Sequence, residues 1–248
     1  DPFLDKSYQV DRGLKLARQL LLHFAENGLP TASEAIDLIT PQYIQDLISW
    51  IAIGARTSES QLHRKMASGS SCPIGFKNST NGNVTIAVNA LIAAARENYY
   101  FNINSFGQVI LVRTKGNLYS HVILRGGSGR GNYYSQDIQC CEELLLRANL
   151  LPNIMIDCSH DNSKKIPQNQ INVIESISDT IIKGNQSIVG LMIESNLNWG
   201  NQSIPNNHSD LKYGVSITDA CIDWKTTEEV LLKLGKELKT IQMDRKIL

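Results

Sequence analysis

Six short apolar runs, each closing on an ionisable side chain, alternate along this chain with longer amphipathic segments. The residues that close them are Glu34, Arg56, Lys77, Arg125, His160 and Glu194. Strand-sized runs alternating with helix-sized ones are the pattern of a parallel α/β architecture. Parallel strands point the same way, so the residues that close them gather at one rim. In a (β/α)8 barrel that carboxyl-terminal rim carries the active site. One charged residue at a strand end means little; six in succession mark a site.

The spacing predicts a first helix over residues 11–26, with Leu14, Ala17, Leu21, Phe24 and Ala25 on one face and Asn27-Gly28 ending it. Strands are expected at residues 30–36, 50–55, 73–78, 119–124, 153–158 and 188–193, and helices at 58–67, 84–97, 135–148 and 168–182. Ser58 with Gln61, and Thr226 with Glu229, have the spacing of capping boxes that open a helix. After a run at residues 99–104, a β-hairpin is expected between residues 108–113 and 119–124, turning at Lys115-Gly116-Asn117. The Gly126-to-Gly131 segment matches no phosphate-binding fingerprint and reads as a flexible loop on the rim. A closed barrel has eight strands. The expectation is therefore a (β/α)8 TIM barrel showing six of them, with an inserted hairpin, as a single catalytic domain over residues 1–248. Asp1 rather than Met opens the chain, so the two further strands are expected ahead of it.

Composition removes several functions. The 24 basic and 24 acidic residues cancel, which argues against bulk attraction to nucleic acid or an anionic membrane. No apolar run approaches the roughly 20 residues of a membrane span. Five cysteines, two of them the neighbours Cys140 and Cys141, do not suggest a disulfide framework, so a reducing cytosol is expected.

The strand-end residues divide chemically. Arg56, Lys77 and Arg125 form a cationic set suited to a phosphate or carboxylate, arginine through its planar fork and lysine as a point charge. Each could instead serve in an ion pair with Glu34 or another carboxylate. His160 and Glu194 suggest a metal, with Asp219 as a third ligand; imidazole with carboxylate suits manganese, iron or zinc better than magnesium or calcium. Strand alternation turns Cys158 into the core. Cys72 has no base beside it in sequence, and His23, His63, His121 and His208 lack partners at metal-site spacing.

The segments Ile53-Gly54-Ala55-Arg56-Thr57, Gly75-Phe76-Lys77-Asn78, Leu124-Arg125-Gly126-Gly127, Asp157-Cys158-Ser159-His160 and Ser216-Ile217-Thr218-Asp219 resemble, in order, motifs of the class I synthases of 3-deoxy-D-arabino-heptulosonate 7-phosphate (DAHP). The resemblance runs nearly the length of the chain. It implies a metal-dependent transferase that condenses phosphoenolpyruvate with erythrose 4-phosphate at the entry to the shikimate pathway. Arg56, Lys77 and Arg125 match positions that hold phosphoenolpyruvate, and His160, Glu194 and Asp219 match three of four ligands to one divalent ion. Lys77 is also expected to relay a proton, and Glu34 to orient the cationic cluster. The fourth ligand, a cysteine in a Pro-Cys-Ser motif, and a Lys-Pro-Arg-Thr substrate segment have no counterpart in these residues. The resemblance further implies feedback by an aromatic amino acid near residues 102–124, and a homo-oligomer for the complete protein. Cys158 stands where an aromatic residue is common in the family, and Ala35 where Phe is usual. Competing expectations are a sister synthase using arabinose 5-phosphate and a non-catalytic remnant; residues 1–248 alone are expected to be inactive.

Overall fold

Strands buried on both faces need unbroken apolar runs, and this chain supplies them. The computed structural model describes residues 2–104 and 106–239. The chain divides into two compact units, Asp1–Lys77 with Ile86–Val122, and Asn78–Thr85 with Ile123–Leu248.

The first unit opens with helix α1 (Val10–Glu26), strand β1 (Ala32–Glu34), the single turn α2 (Pro41–Ile44) and strand β2 (Trp50–Ile53). Helix α3 (Gln61–Ser68), strand β3 (Ile74–Lys77) and helix α4 (Thr85–Ala94) follow. β1, β2 and β3 pair in parallel in chain order, with Ser33 opposite Ile51 and Ile51 opposite Ile74. Their core residues are Ile51, Ile53, Ile74 and Phe76, with Ala87, Ala90, Leu91 and Ala94 from the almost wholly apolar α4. α1 forms where the periodicity predicted, but its apolar stripe is not buried. Arg18 ties the helix down instead, through two bonds of 2.8 and 2.7 Å to the Asp46 carboxylate.

Two expectations about this unit are corrected. Ser58 does not cap α3; Ser60 does, its hydroxyl accepting from the His63 N–H. The chain needs one more turn after β2 before it can enter the helix, and Ser58 is spent in that turn. The hairpin joins β4 (Asn98–Ile103) to β5 (Val109–Thr114), antiparallel with Phe101 opposite Leu111. Lys115-Gly116-Asn117 is a connector, held by Gly116 N–H on Ser68 O and Asn117 N–H on Ala94 O. Gly116 takes φ +92° there, a left-handed conformation that glycine adopts freely. The run that follows, β6 (His121–Leu124), is fully buried, as a sheet-core strand must be and a hairpin edge need not.

The division between the units falls within β6, and the second unit continues with helix α5 (Ser135–Arg147), strand β7 (Ile154–Asp157), helix α6 (Asn169–Ile182), strand β8 (Ile188–Met192) and helix α7 (Trp224–Leu238). β7 and β8 pair in parallel, with Ile156 opposite Leu191. α6 buries Gln170, Val173, Ile174, Ile177, Ser178 and Ile181, a stripe at helical spacing. α7 begins two residues before the expected cap, and Asp223 rather than Thr226 caps it, accepting from the Thr226 N–H at 2.8 Å. The glycine-rich loop after Arg125 is not a loose flap. Gly127 and Arg130 exchange backbone bonds of 2.9 and 3.0 Å, and Gly127 lies so close to the Gly82 backbone that no side chain would fit. No described helix is long and apolar enough to cross a membrane.

Candidate metal centre and anion-binding residues

β7 ends at Asp157, and the chain turns sharply through Ser159 to His160, which adopts φ +50°. A non-glycine residue in that conformation is costly, and such strain tends to persist where a side chain must be aimed. Asp157 is fully buried and grips the turn. Its Oδ1 accepts from the Ser159 hydroxyl at 2.6 Å and the Ser159 N–H at 3.0 Å, while Oδ2 lies 2.9 Å from His160 Nδ1. With the hydroxyl proton committed to Asp157, the network assigns the imidazole proton to Nδ1. Nε2 is then the lone-pair nitrogen, and it faces Glu194 Oε1 at 3.8 Å and Asp219 Oδ2 at 3.9 Å.

One imidazole nitrogen and two carboxylate oxygens therefore lie within 4.8 Å of one another. The donor set suits a divalent ion of the manganese, iron or zinc type. The buried carboxylate behind the histidine is the usual second support of such a ligand. Glu194 is held through its backbone: Gln170, 1% exposed on α6, accepts from its N–H at 2.8 Å and donates to its carbonyl at 3.0 Å. Ile222 N–H adds a bond to the same carbonyl. Asp219 is more exposed, in a loop tied down by Asn201 Nδ2 on Thr218 O at 2.9 Å. The three residues expected as ligands are thus brought together. Asp157, Ser159 and Gln170 were not foreseen; a carboxylate three residues before the histidine was the one signal that could have found Asp157.

Cys158 is fully buried, its thiol directed at Ile156 O and pushed up in pKa by burial, which is the core role alternation gave it. The second unit also holds Arg125, one residue past β6 and 7% exposed. Its Nη1 donates to Asp161 Oδ2 at 2.8 Å. The ion-pair alternative therefore holds for this cation, with a partner the sequence did not suggest.

In the first unit Glu34 and Lys77 are the last residues of β1 and β3, and Arg56 stands three residues past β2. Gly54 lies against the Glu34 carboxylate, which would have to swing aside to admit a methyl group there. The turn closes with Thr57 and Ser58 N–H groups on Gly54 O. Ser58, fully buried, donates to Lys77 O at 2.7 Å and so links the Arg56 turn to the end of β3. Arg64 holds the same turn, its Nε donating to Ser58 O at 2.8 Å. Lys77 is half-buried, and Arg56 and Glu34 are exposed.

Comparison with known proteins identifies the family. The family model described as "DAHP synthetase I family" matches residues 1–232. The Tyr-sensitive phospho-2-dehydro-3-deoxyheptonate aldolase of Salmonella typhimurium is 52% identical over 238 residues, covering 96% of this chain and 67% of its own length. The Phe-sensitive aldolase of Escherichia coli is 45% identical over 239 residues, 96% of this chain and 68% of its own. The solved structure of the aldolase from Francisella tularensis superposes with a TM-score of 0.92 at 46% identity, covering 96% of this chain and 69% of that one. The alternation of strands and helices is that of the (β/α)8 barrel, represented here by six strands. The chain belongs to the DAHP synthetase I family.

Proposed function

We propose that the polypeptide containing this chain carries out the aldol-type condensation of phosphoenolpyruvate with D-erythrose 4-phosphate, giving DAHP and inorganic phosphate. Family membership supports the reaction, and the observation that carries its assignment to particular residues is the His160, Glu194 and Asp219 cluster. The chemistry a divalent ion supplies when bound there is Lewis-acid polarisation of a carbonyl oxygen. We read manganese, iron or zinc as the suitable ions.

In the reaction, C3 of phosphoenolpyruvate forms a bond to the aldehyde carbon of the sugar phosphate. Water adds at C2, and the C2–O bond to phosphate breaks, releasing inorganic phosphate. Arg56, Lys77 and Arg125 bind and orient phosphoenolpyruvate and stabilise charge developing at its phosphate. Lys77 passes a proton to or from the reacting enol, and Glu34 orients the cationic residues rather than acting as the base. His160 and Glu194 keep fixed positions through Asp157 and Gln170, so the donor set that would hold the ion is prearranged.

The hairpin supports a regulatory reading. Tyr100, Asn102, Ile110 and Val112 line one side of a cavity of about 650 Å³ with Gln42 and Ser70, large enough for an aromatic amino acid. We assign that cavity to an aromatic amino acid effector, in keeping with the Tyr and Phe sensitivities of the named relatives. The reading includes one catalytic domain over residues 1–248, a cytosolic location and self-association, which fractionation and light scattering test. The decisive experiment is Lys77→Ala in the active polypeptide that contains this chain. Turnover of phosphoenolpyruvate with erythrose 4-phosphate should fall to near background with metal content unchanged. Wild-type-like turnover, or turnover with arabinose 5-phosphate alone, would sink the assignment.

A further inference from the structure

Among the candidate substrate cations, Arg125 has an ionic partner built into the fold. The side chains of Arg125 and Asp161 are 8% and 19% exposed, and a single 2.8 Å bond joins Nη1 to Oδ2. Among the described residues the guanidinium makes no other side-chain bond, so Nε and Nη2 remain available to a ligand.

The backbone on both sides of the pair is fixed by three asparagines. Buried Asn78 accepts from the Arg125 N–H at 2.9 Å and from Asn132 Nδ2 at 3.1 Å. Asn132 accepts from the Gly126 N–H at 2.7 Å and donates its own N–H to Asn162 Oδ1 at 2.8 Å. Buried Asn162 donates to Leu124 O at 3.1 Å and Asp157 O at 2.7 Å. Gly126, at φ +74°, lies against Asp161, where a side chain would meet the Asp161 Cβ at 2.7 Å. The span from the end of β6 to the loop after β7 is therefore set by buried hydrogen bonds. An ion pair held in this way differs from an exposed pair that forms and breaks at little cost.

We propose that Asp161 is an internal counter-ion that sets the affinity of Arg125 for its anionic substrate. The proposal rests on the assignment of Arg125 to phosphoenolpyruvate. The carboxylate orients the guanidinium through Nη1 and leaves the other edge of the fork to the ligand. An anion on that edge then sits about one guanidinium width from a fixed negative charge. Asp161 is thus a positioning and affinity-setting residue: it aims the arginine and weakens its hold, which favours release of the phosphate product.

Isothermal titration of the active polypeptide that contains this chain with phosphoenolpyruvate tests this, using wild type, Asp161→Asn, Asp161→Glu and Arg125→Ala. Asp161→Asn keeps an acceptor and removes the charge, and should bind about tenfold tighter, the size of one screened charge pair at about 7 Å. Asp161→Glu keeps the charge and should stay near wild type. Unchanged or weaker binding by Asp161→Asn, or an equal gain in Asp161→Glu, overturns the proposal. If Asp161→Asn does not fold by thermal unfolding, Asp161→Ser removes the same charge and is read in the same way. Arg125→Ala separates the two levels: wild-type affinity in that variant refutes the substrate assignment itself, as does absence of binding by wild type.

Discussion

His160 and Arg56 both stand a few residues past the end of a buried parallel strand, yet the chain treats them in opposite ways. His160 is held in a left-handed backbone conformation, and its Nδ1 is gripped by Asp157 and Ser159. Arg56 is exposed, and among the described residues its side chain has no hydrogen-bonded or ionic partner. What is fixed around Arg56 is the backbone, through Gly54, Ser58 and Arg64. The difference follows from what each group must do. A metal ligand has to meet fixed bond lengths, so its ring is aimed in advance by a second layer of residues. A guanidinium binding a phosphate can adjust along a flexible side chain, and only its anchor point needs precision.

The comparison can be tested by removing the second layer at each place. The largest effect is expected at Asp157, where Asp157→Asn should weaken binding of Mn²⁺ by about 10- to 100-fold, read by calorimetric titration. An unchanged affinity would mean that His160 is aimed by the backbone turn alone. A smaller effect is expected from Gln170→Ala, which leaves the half-buried Glu194 N–H without its Gln170 partner. It should lower stability by about 1–3 kcal/mol in denaturant unfolding. Its effect on Mn²⁺ affinity should be slighter than that of Asp157→Asn, because Gln170 holds the Glu194 backbone and not its carboxylate. If Gln170→Ala abolished Mn²⁺ binding with little loss of stability, the ranking of side-chain over backbone support would be wrong.

The smallest expected effect lies in the first unit, at the opposite end of its strands. The buried His121 accepts the Trp50 indole N–H at Nε2, 3.0 Å away, with the rings stacked, and burial lowers its pKa below the ordinary value of 6.5. The unfolded chain therefore takes up a proton that the folded chain refuses, and stability falls as pH drops through and below about 6.5. Thermal unfolding from pH 7.5 to 5 should show that decline, and His121→Gln should flatten it. An identical slope in the variant would assign the acid sensitivity elsewhere.

The strand ends were legible because an ionisable residue closing an apolar run is costly anywhere except at a site. Glu34 and Lys77 are the last residues of their strands, and Arg125 directly follows its own. What escaped the sequence was pairing across distance. The run at residues 119–124 has the apolar character of a hairpin arm, and only its complete burial shows it to be a core strand. Asp161 is 36 residues from Arg125, and Gln170 is 24 from Glu194, separations at which no local spacing carries information. Ser58 and Thr226 had the right spacing for caps, but Ser60 and Asp223 lie at the actual helix entrances. Spacing identifies the motif, whereas the path of the preceding loop decides which residue fills it.

His160, Glu194 and Asp219 are expected to hold one divalent ion together. The measurement is Mn²⁺ titration of the full chain, followed by calorimetry and by electron paramagnetic resonance, for wild type, His160→Ala and Arg56→Ala. Wild type and Arg56→Ala should each take up one ion with the same affinity, and His160→Ala should lose at least about 100-fold, no less than loss of its supporting carboxylate. Wild-type affinity in His160→Ala would contradict it.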